Sequence, residues 1–287
     1  LSHPKPNIGF IGAGALANAL TSGLSAAGYT VVAVASRSFS SAGRLAERLP
    51  ACVPFTDNQE VVDRSDVIFI TTPDSVIARV AGEITWHTGQ SVVHCSGADT
   101  ARLLTAASYM GAMTGVFHPL QTFAQPAAGI FNGVTFSIEA EEPLLSVLKT
   151  MAEALGGRWM ELKPDDKPLY HASAVIAGNY LITLAKMATD LWEDFGVSKE
   201  VALAALLPLI KGTVNNLETK GIPDALTGPI ARGDIDTIAK HTLALKASHT
   251  TLLPAYRKMG RQTIPIALQK GGINADKAAE IESILRD

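Results

Sequence analysis

Cysteine is scarce in this chain: two in 287 residues, Cys52 and Cys95, with no CxxC or Cys/His spacing around either. That argues against both a disulfide framework and a zinc site, so no metal is expected, and it fits a reducing, cytoplasmic compartment. Charge is sparse as well, at 18% of residues with a formal net charge of −3, and no lysine or arginine cluster occurs. Neither a nucleic-acid surface nor a polybasic membrane anchor is expected. Leu1 to Asn7 is short, polar and proline-containing, which does not read as a secretory leader. The uncharged stretch Pro168 to Ala185 carries Tyr170, His171, Ser173, Asn179 and Thr183, too many polar groups for a lipid-facing span. It reads as part of a buried helix.

What the chain has is alternation. Short apolar runs at Ile8–Ile11, Thr30–Ala35, Cys52–Pro54, Asp66–Thr71, Ser91–Cys95 and Gly115–His118 read as strands. Between them, Leu16–Ala27, Ser40–Leu49, Ser75–Ile84 and Thr100–Tyr109 read as helices. Strand and helix in turn predict a parallel sheet with right-handed crossovers. Two further strands, Val134–Glu139 and Arg158–Glu161, flank a helix over Glu142–Leu155, and beyond Pro164 only helical patterns remain. The expected architecture is an α/β Rossmann-type domain over 1–162 followed by an all-α domain over 163–287. The first helix of that second domain, Asp166 to Phe195, is apolar nearly all round, so neighbouring helices or a second subunit should bury it. A homodimer with this helix at its interface is the expected assembly.

The first turn of the alternation carries the strongest motif. Gly12-Ala13-Gly14-Ala15-Leu16-Ala17 is a GxGxxA between strand and helix. Gly12 permits a tight turn, Gly14 lets backbone approach a pyrophosphate, and Ala17 lets helix and strand pack closely. The helix N-terminus offers free N–H groups to the phosphates. NAD sites place an acid near the end of the second strand, but here that stretch reads Ala35-Ser36-Arg37-Ser38. A guanidinium with two hydroxyls suits a 2′-phosphate, so NADP is the expected cofactor, with Arg44 as a helper to Arg37. Thr71, Thr72 and Pro73 end the fourth strand and should border the ligand crevice, where Asp74 is expected to cap the next helix. His94 and Ser96 share one face at the end of the next strand, and His118 ends the one after.

These blocks, together with Phe117-His118-Pro119-Leu120-Gln121 and Leu226–Asp234 (LTGPIARGD), resemble the Rossmann-like NADP oxidoreductases that carry a helical C-terminal domain of unassigned function. That group is distantly related to pyrroline-5-carboxylate reductase, ketopantoate reductase and the β-hydroxyacid dehydrogenases. The resemblance implies NADP and a dimer of interlocked helical domains. It also implies catalytic residues early in the first helix of the second domain, where relatives carry a lysine followed by an asparagine. This chain has His171 and Asn179 there, and Val175 where a nearer asparagine would fall. Lys167, one turn before His171, is either a replacement for that lysine or a solvated charge at the helix start, and Tyr170 lies beside them.

The expected activity is NADPH-dependent reduction of a small ketone or imine, with a 2-oxo acid of the ketopantoate kind first and a cyclic imine second. His171 is the first choice as proton donor, Asn179 would orient the substrate, and His118 and His94 are rivals for the proton. Ser173 and Arg232 are the expected substrate contacts, Arg232 toward a carboxylate. The other reading is a non-enzymatic NADP-binding regulator, favoured by the missing lysine.

Overall fold

The computed structural model describes residues 5–124 and 127–286; Leu1–Pro4, the start of the polar segment above, lie outside them. All eight expected apolar runs form strands: β1 Asn7–Ile11, β2 Thr30–Ala35, β3 Val53–Phe55, β4 Val67–Ile70, β5 Ser91–His94, β6 Met113–Pro119, β7 Thr135–Ala140 and β8 Arg158–Glu161. They build one sheet in the order β3-β2-β1-β4-β5-β6-β7-β8. Pairing is parallel from β3 through to β6, turns antiparallel at β6–β7, and is parallel again at β7–β8. Strand order reverses between β1 and β4, the switch point where such sheets open a ligand crevice.

Period-two alternation splits the apolar residues between the two faces of the sheet. One face carries Phe10, Phe69, Phe117 and Phe136, buried against α1 (Ala15–Ala26) and α6 (Leu144–Ala154). The rings form a row across four strands, with centroids 5.2 Å apart for Phe10–Phe69 and 4.5 Å for Phe117–Phe136. The other face carries Ile11, Ile68, Ile70 and Val92, covered by α3 (Asn58–Val62), α4 (Ile77–Gly82) and α5 (Thr105–Tyr109). Each such side chain contributes roughly 1.5–3 kcal/mol on burial, so this double-sided core holds the strand ends rigidly. The helix α2 (Phe39–Ala46) lies beyond β2.

The chain divides into two compact units, Leu1–Gly178 and Asn179–Asp287. The division falls beyond residue 162 because α7 (Lys167–Ala177) belongs with the sheet. The continuous helix expected over Asp166–Phe195 is not formed. It is interrupted at Gly178 into α7 and α8 (Asn179–Asp190), followed by a 3-10 turn at Leu191–Phe195 that Gly196 ends at φ 78°. Glycine is a weak helix former and makes the interruption cheap. Nor is the segment buried within this chain: Ile176 is 63% and Ile182 73% exposed.

The second unit is all helical: α8, α9 (Lys199–Lys220), α10 (Pro229–Arg232), α11 (Ile235–Ser248), α12 (Leu253–Gln269) and α13 (Ala275–Ile284). Its small core gathers Ile238, Ile264, Ile281 and Leu285. Ser198, Asp234 and Asn274 cap α9, α11 and α13 by accepting from backbone N–H groups. No described helix is long and apolar enough to cross a membrane.

Candidate active site

The dinucleotide end of the crevice is built by one loop and its braces. Gly12 sits at φ +110°, and a Cβ there would lie 2.8 Å from the Thr71 carbonyl oxygen, so the turn admits only glycine. Thr71 was expected to face the cofactor; its hydroxyl instead donates to the Gly12 carbonyl at 3.1 Å, bracing the turn. Asn18 holds the same loop from α1, its Nδ2 donating to the Gly14 carbonyl at 2.9 Å.

Gly14 is different. Its backbone, at φ −78° and ψ −172°, is one that any residue adopts, and a Cβ there would meet nothing within 4 Å. Nothing in the fold itself asks for glycine at 14. The N–H groups of Ala15 and Leu16 open α1 beside it, and a helix start of this kind offers free donors to a pyrophosphate.

At the end of β2, Arg37 is exposed and makes no ion pair among the described residues. Ser38 and Ser40 share a hydrogen bond at 2.9 Å, and Arg44 donates to Ser41 at 3.1 Å. Two guanidinium groups among hydroxyls, with no carboxylate between them, fit a 2′-phosphate. Thr72 Oγ1 is buried without a partner, and Pro73 is exposed beside it.

The chemistry end is assembled from β5, β6, β7 and α7. His94 is fully buried, and both its nitrogens are used: Nε2 donates to the Thr100 carbonyl at 2.9 Å and Nδ1 accepts from Ser96 N–H at 3.2 Å. Its burial lowers its pKa, and the two bonds fix its tautomer, so it is a brace and not a proton source. Ser96 Oγ lies 2.8 Å from Asp74 Oδ2 and 2.9 Å from Asp99 Oδ2. Its hydroxyl is thus committed to protein groups. Asp74, expected as a helix cap, makes this contact instead of capping.

His118 and His171 converge on Gly97, where a Cβ would lie 2.8 Å from His118 Nε2 and 2.8 Å from His171 Cδ2. The two rings are 6.4 Å apart at their centroids. Tyr170 Oη and His118 Nδ1 are hydrogen-bonded at 2.9 Å, with the rings edge to face. Burial, and then the neighbouring His171, Lys167 and His94, hold His118 down to about 4, so the ring is neutral at pH 7. Burial also raises Tyr170, which keeps its phenol protonated.

Lys167 completes this face of α7, fully buried with Nζ 3.3 Å from Glu139 Oε2. Ser173 turns back on its own helix, its hydroxyl donating to the Tyr170 carbonyl at 2.6 Å. Asn179 opens the second unit and Arg232 is exposed on α10, also in the second unit. Sequence reasoning missed Glu139, Gly97 and the Asp74–Ser96–Asp99 contacts. The spacing of Lys167, Tyr170 and His171 at i, i+3 and i+4 was the available signal for one helix face. Glu139 reaches that face only through strand pairing, which no local pattern encodes.

Residues 7–97 match the family described as NADP oxidoreductase, coenzyme F420-dependent. Residues 134–263 match a domain of unknown function, DUF2520. The chain thus belongs with the NADP-dependent oxidoreductases, as an NADP-binding domain joined to a helical DUF2520 domain.

Among solved structures it is similar to a protein of Bacteroides fragilis assigned as an NADP oxidoreductase. The identity is 26%, covering 91% of this chain and 98% of that one, with a TM-score of 0.73. At 16% identity it shares the fold of pyrroline-5-carboxylate reductase from Streptococcus pyogenes, covering 93% of this chain and 98% of that one, with a TM-score of 0.63. Also at 16%, it shares the fold of the reductive aminase from Aspergillus terreus in complex with NADPH and ethyl-5-oxohexanoate. There the match covers 98% of this chain and 93% of that one, with a TM-score of 0.63. No curated protein matches the chain in sequence. The enzyme reading therefore stands in place of the non-enzymatic regulator.

Proposed function

We propose that the chain reduces a small C=N or C=O compound with NADPH, and that a cyclic imine is its first substrate class. The observation that carries this reading is the convergence of His118, Tyr170 and His171 over Gly97 at the carboxyl ends of β5 and β6. Asp74, beyond β4, and Asp99, beyond β5, both contact Ser96, and carboxylates there favour a cationic iminium over an anionic 2-oxo acid. That reverses the order expected from sequence. The structural neighbours that act on pyrroline-5-carboxylate and form amines reductively lend the same support.

Bound NADPH supplies the hydride. Gly12, Gly14, Ala13, Ala15 and Leu16 cradle its pyrophosphate, and Ser36, Arg37 and Ser38 hold its 2′-phosphate. His171 protonates the substrate nitrogen, which makes the carbon electrophilic, and the products are an amine and NADP+. His118, neutral and tied to Tyr170, orients the substrate from the opposite wall.

The test is NADPH oxidation by the purified protein across cyclic imines and 2-oxo acids. Turnover of imines ahead of 2-oxo acids is the expected result. Binding of NADPH with no oxidation by either class would overturn the reading.

We also propose a cytoplasmic homodimer. Ile182 on α8 and Leu209 on α9 are 73% and 67% exposed, and an apolar surface of this kind marks an interaction site that a second copy would cover. A monomer by light scattering at micromolar concentration would refute it.

A further inference from the structure

Among the described residues His118 makes one side-chain hydrogen bond, to the phenol of Tyr170, with Nδ1 and Oη 2.9 Å apart. The two rings stand edge to face at 88° with centroids 5.6 Å apart, so packing holds the contact as well as the bond. α7 brings Tyr170 to this place. Lys167 at its start lies 3.3 Å from Glu139 on β7, and Tyr170, three residues on, shares that helix face. Across the β6–β7 pair, Ser137 stands directly opposite His118. The second ring nitrogen, Nε2, bonds to none of the described residues and is not sealed in by them. It lies toward Gly97, where a Cβ would be 2.8 Å away, and His171 approaches the same point.

The direction of the 2.9 Å bond decides what the cleft meets. A neutral imidazole carries one N–H and one bare nitrogen, and a phenol can donate or accept. The nitrogen that keeps the proton is set by the bond the other one makes. Here the phenol is the better donor. Its O–H, with an ordinary pKa of about 10, is a far stronger acid than the N–H of a neutral ring. The bare ring nitrogen, protonated at about 6.5, is likewise a far stronger base than a phenol oxygen. The reverse bond would also send the phenol hydrogen in search of another acceptor. Ser137 Oγ is the candidate across the strand pair, and it is buried without a hydrogen bond. Donation from Tyr170 to Nδ1 leaves the one N–H of the ring on Nε2, in the cleft.

We propose that Tyr170 is a positioning residue that fixes His118 in the Nε2–H tautomer, so that this wall presents a hydrogen-bond donor and no base. Such a donor takes an acceptor lone pair, and a carbonyl oxygen carried beside the reacting bond is the simplest. It cannot take back the proton that His171 delivers, so the two histidines divide the work: one protonates, the other holds. These consequences for the substrate rest on the reaction proposed above, whereas the tautomer does not. Tyr170 acts through His118 and needs no contact with the reacting atoms.

The experiment is long-range proton–nitrogen correlation NMR of the full-length protein, with isotope-labelled histidine, at about pH 8 and without cofactor or substrate. There even a ring with the ordinary pKa of about 6.5 is mostly neutral, so the spectrum reads the tautomer alone. The His118 signals are those lost in His118→Gln. They should show a bare Nδ1 and a protonated Nε2. Tyr170→Phe keeps the ring that packs on His118 and removes only its hydroxyl, and the share of His118 protonated at Nδ1 should then rise. A wild-type ring protonated at Nδ1 would overturn the proposal, and so would an unchanged tautomer ratio in Tyr170→Phe. Failure of imines to turn over would touch neither readout.

Discussion

The two ends of the crevice are made in different ways. The dinucleotide end comes from a single turn, residues 12–17, with Thr71 and Asn18 as braces. The chemistry end is gathered from three strands and a helix, whose residues lie far apart in the chain: His94 and His171 are separated by 77 positions. A turn of contiguous residues keeps its shape when neighbouring segments shift. An assembled site depends on every segment that docks, so its groups answer to mutation and pH together.

The largest expected effect lies at the assembled end. His171→Ala should lower turnover about 10²–10⁴-fold while NADPH affinity stays near wild type. His118→Ala should raise KM more than it lowers kcat. The contrast between the two ends would break if His171→Ala kept the wild-type pH–rate profile while His118→Ala lost it.

Acid should expose the same end next. His118 titrates near 4 when folded and near 6.5 when unfolded. Between those values the unfolded chain binds more protons, so stability falls as pH drops through the window. The loss from His118 approaches roughly 3 kcal/mol, and buried His94 adds to it in the same direction. Denaturant melts at pH 7 and pH 4 would measure it, and equal stability at both would show that the histidines are not held neutral.

At the dinucleotide end, Arg37→Ala should cost about 1.5–3 kcal/mol for NADPH and little for NADH, read by titration calorimetry. Equal wild-type affinities for the two cofactors would contradict the assignment of Arg37. The smallest effects separate fold from ligand within one turn. Gly12→Ala should destabilise the protein by about 1–3 kcal/mol, from its positive φ and its contact with Thr71. Gly14→Ala should leave Tm unchanged and weaken only NADPH binding. A lowered Tm in Gly14→Ala would mean that the fold, and not the cofactor, asks for that glycine.

How much of this was legible in the sequence follows the same division. The strands, the GxGxxA turn and the absence of an acid after β2 are local, and the structure places them where periodicity and spacing put them. The helix over Asp166–Phe195 was read too long because its apolar residues continue through Gly178, while the backbone preference of one residue decides the break. His171 was singled out only through the resemblance to relatives that carry a lysine early in that segment. Tyr170 was noticed but not given its partner, and Glu139 was not seen at all. Both depend on the β6–β7 register and on α7 docking with the sheet, which are long-range facts.

The Cα of Gly97 forms part of the boundary between the two imidazoles. A site bounded there by main chain has no side chain to trim at that position, and any addition strikes both rings at once. Attempts to retune this protein for bulkier compounds should therefore begin at the walls, with Tyr170 or Thr72, and libraries that randomise position 97 should return mostly inactive clones.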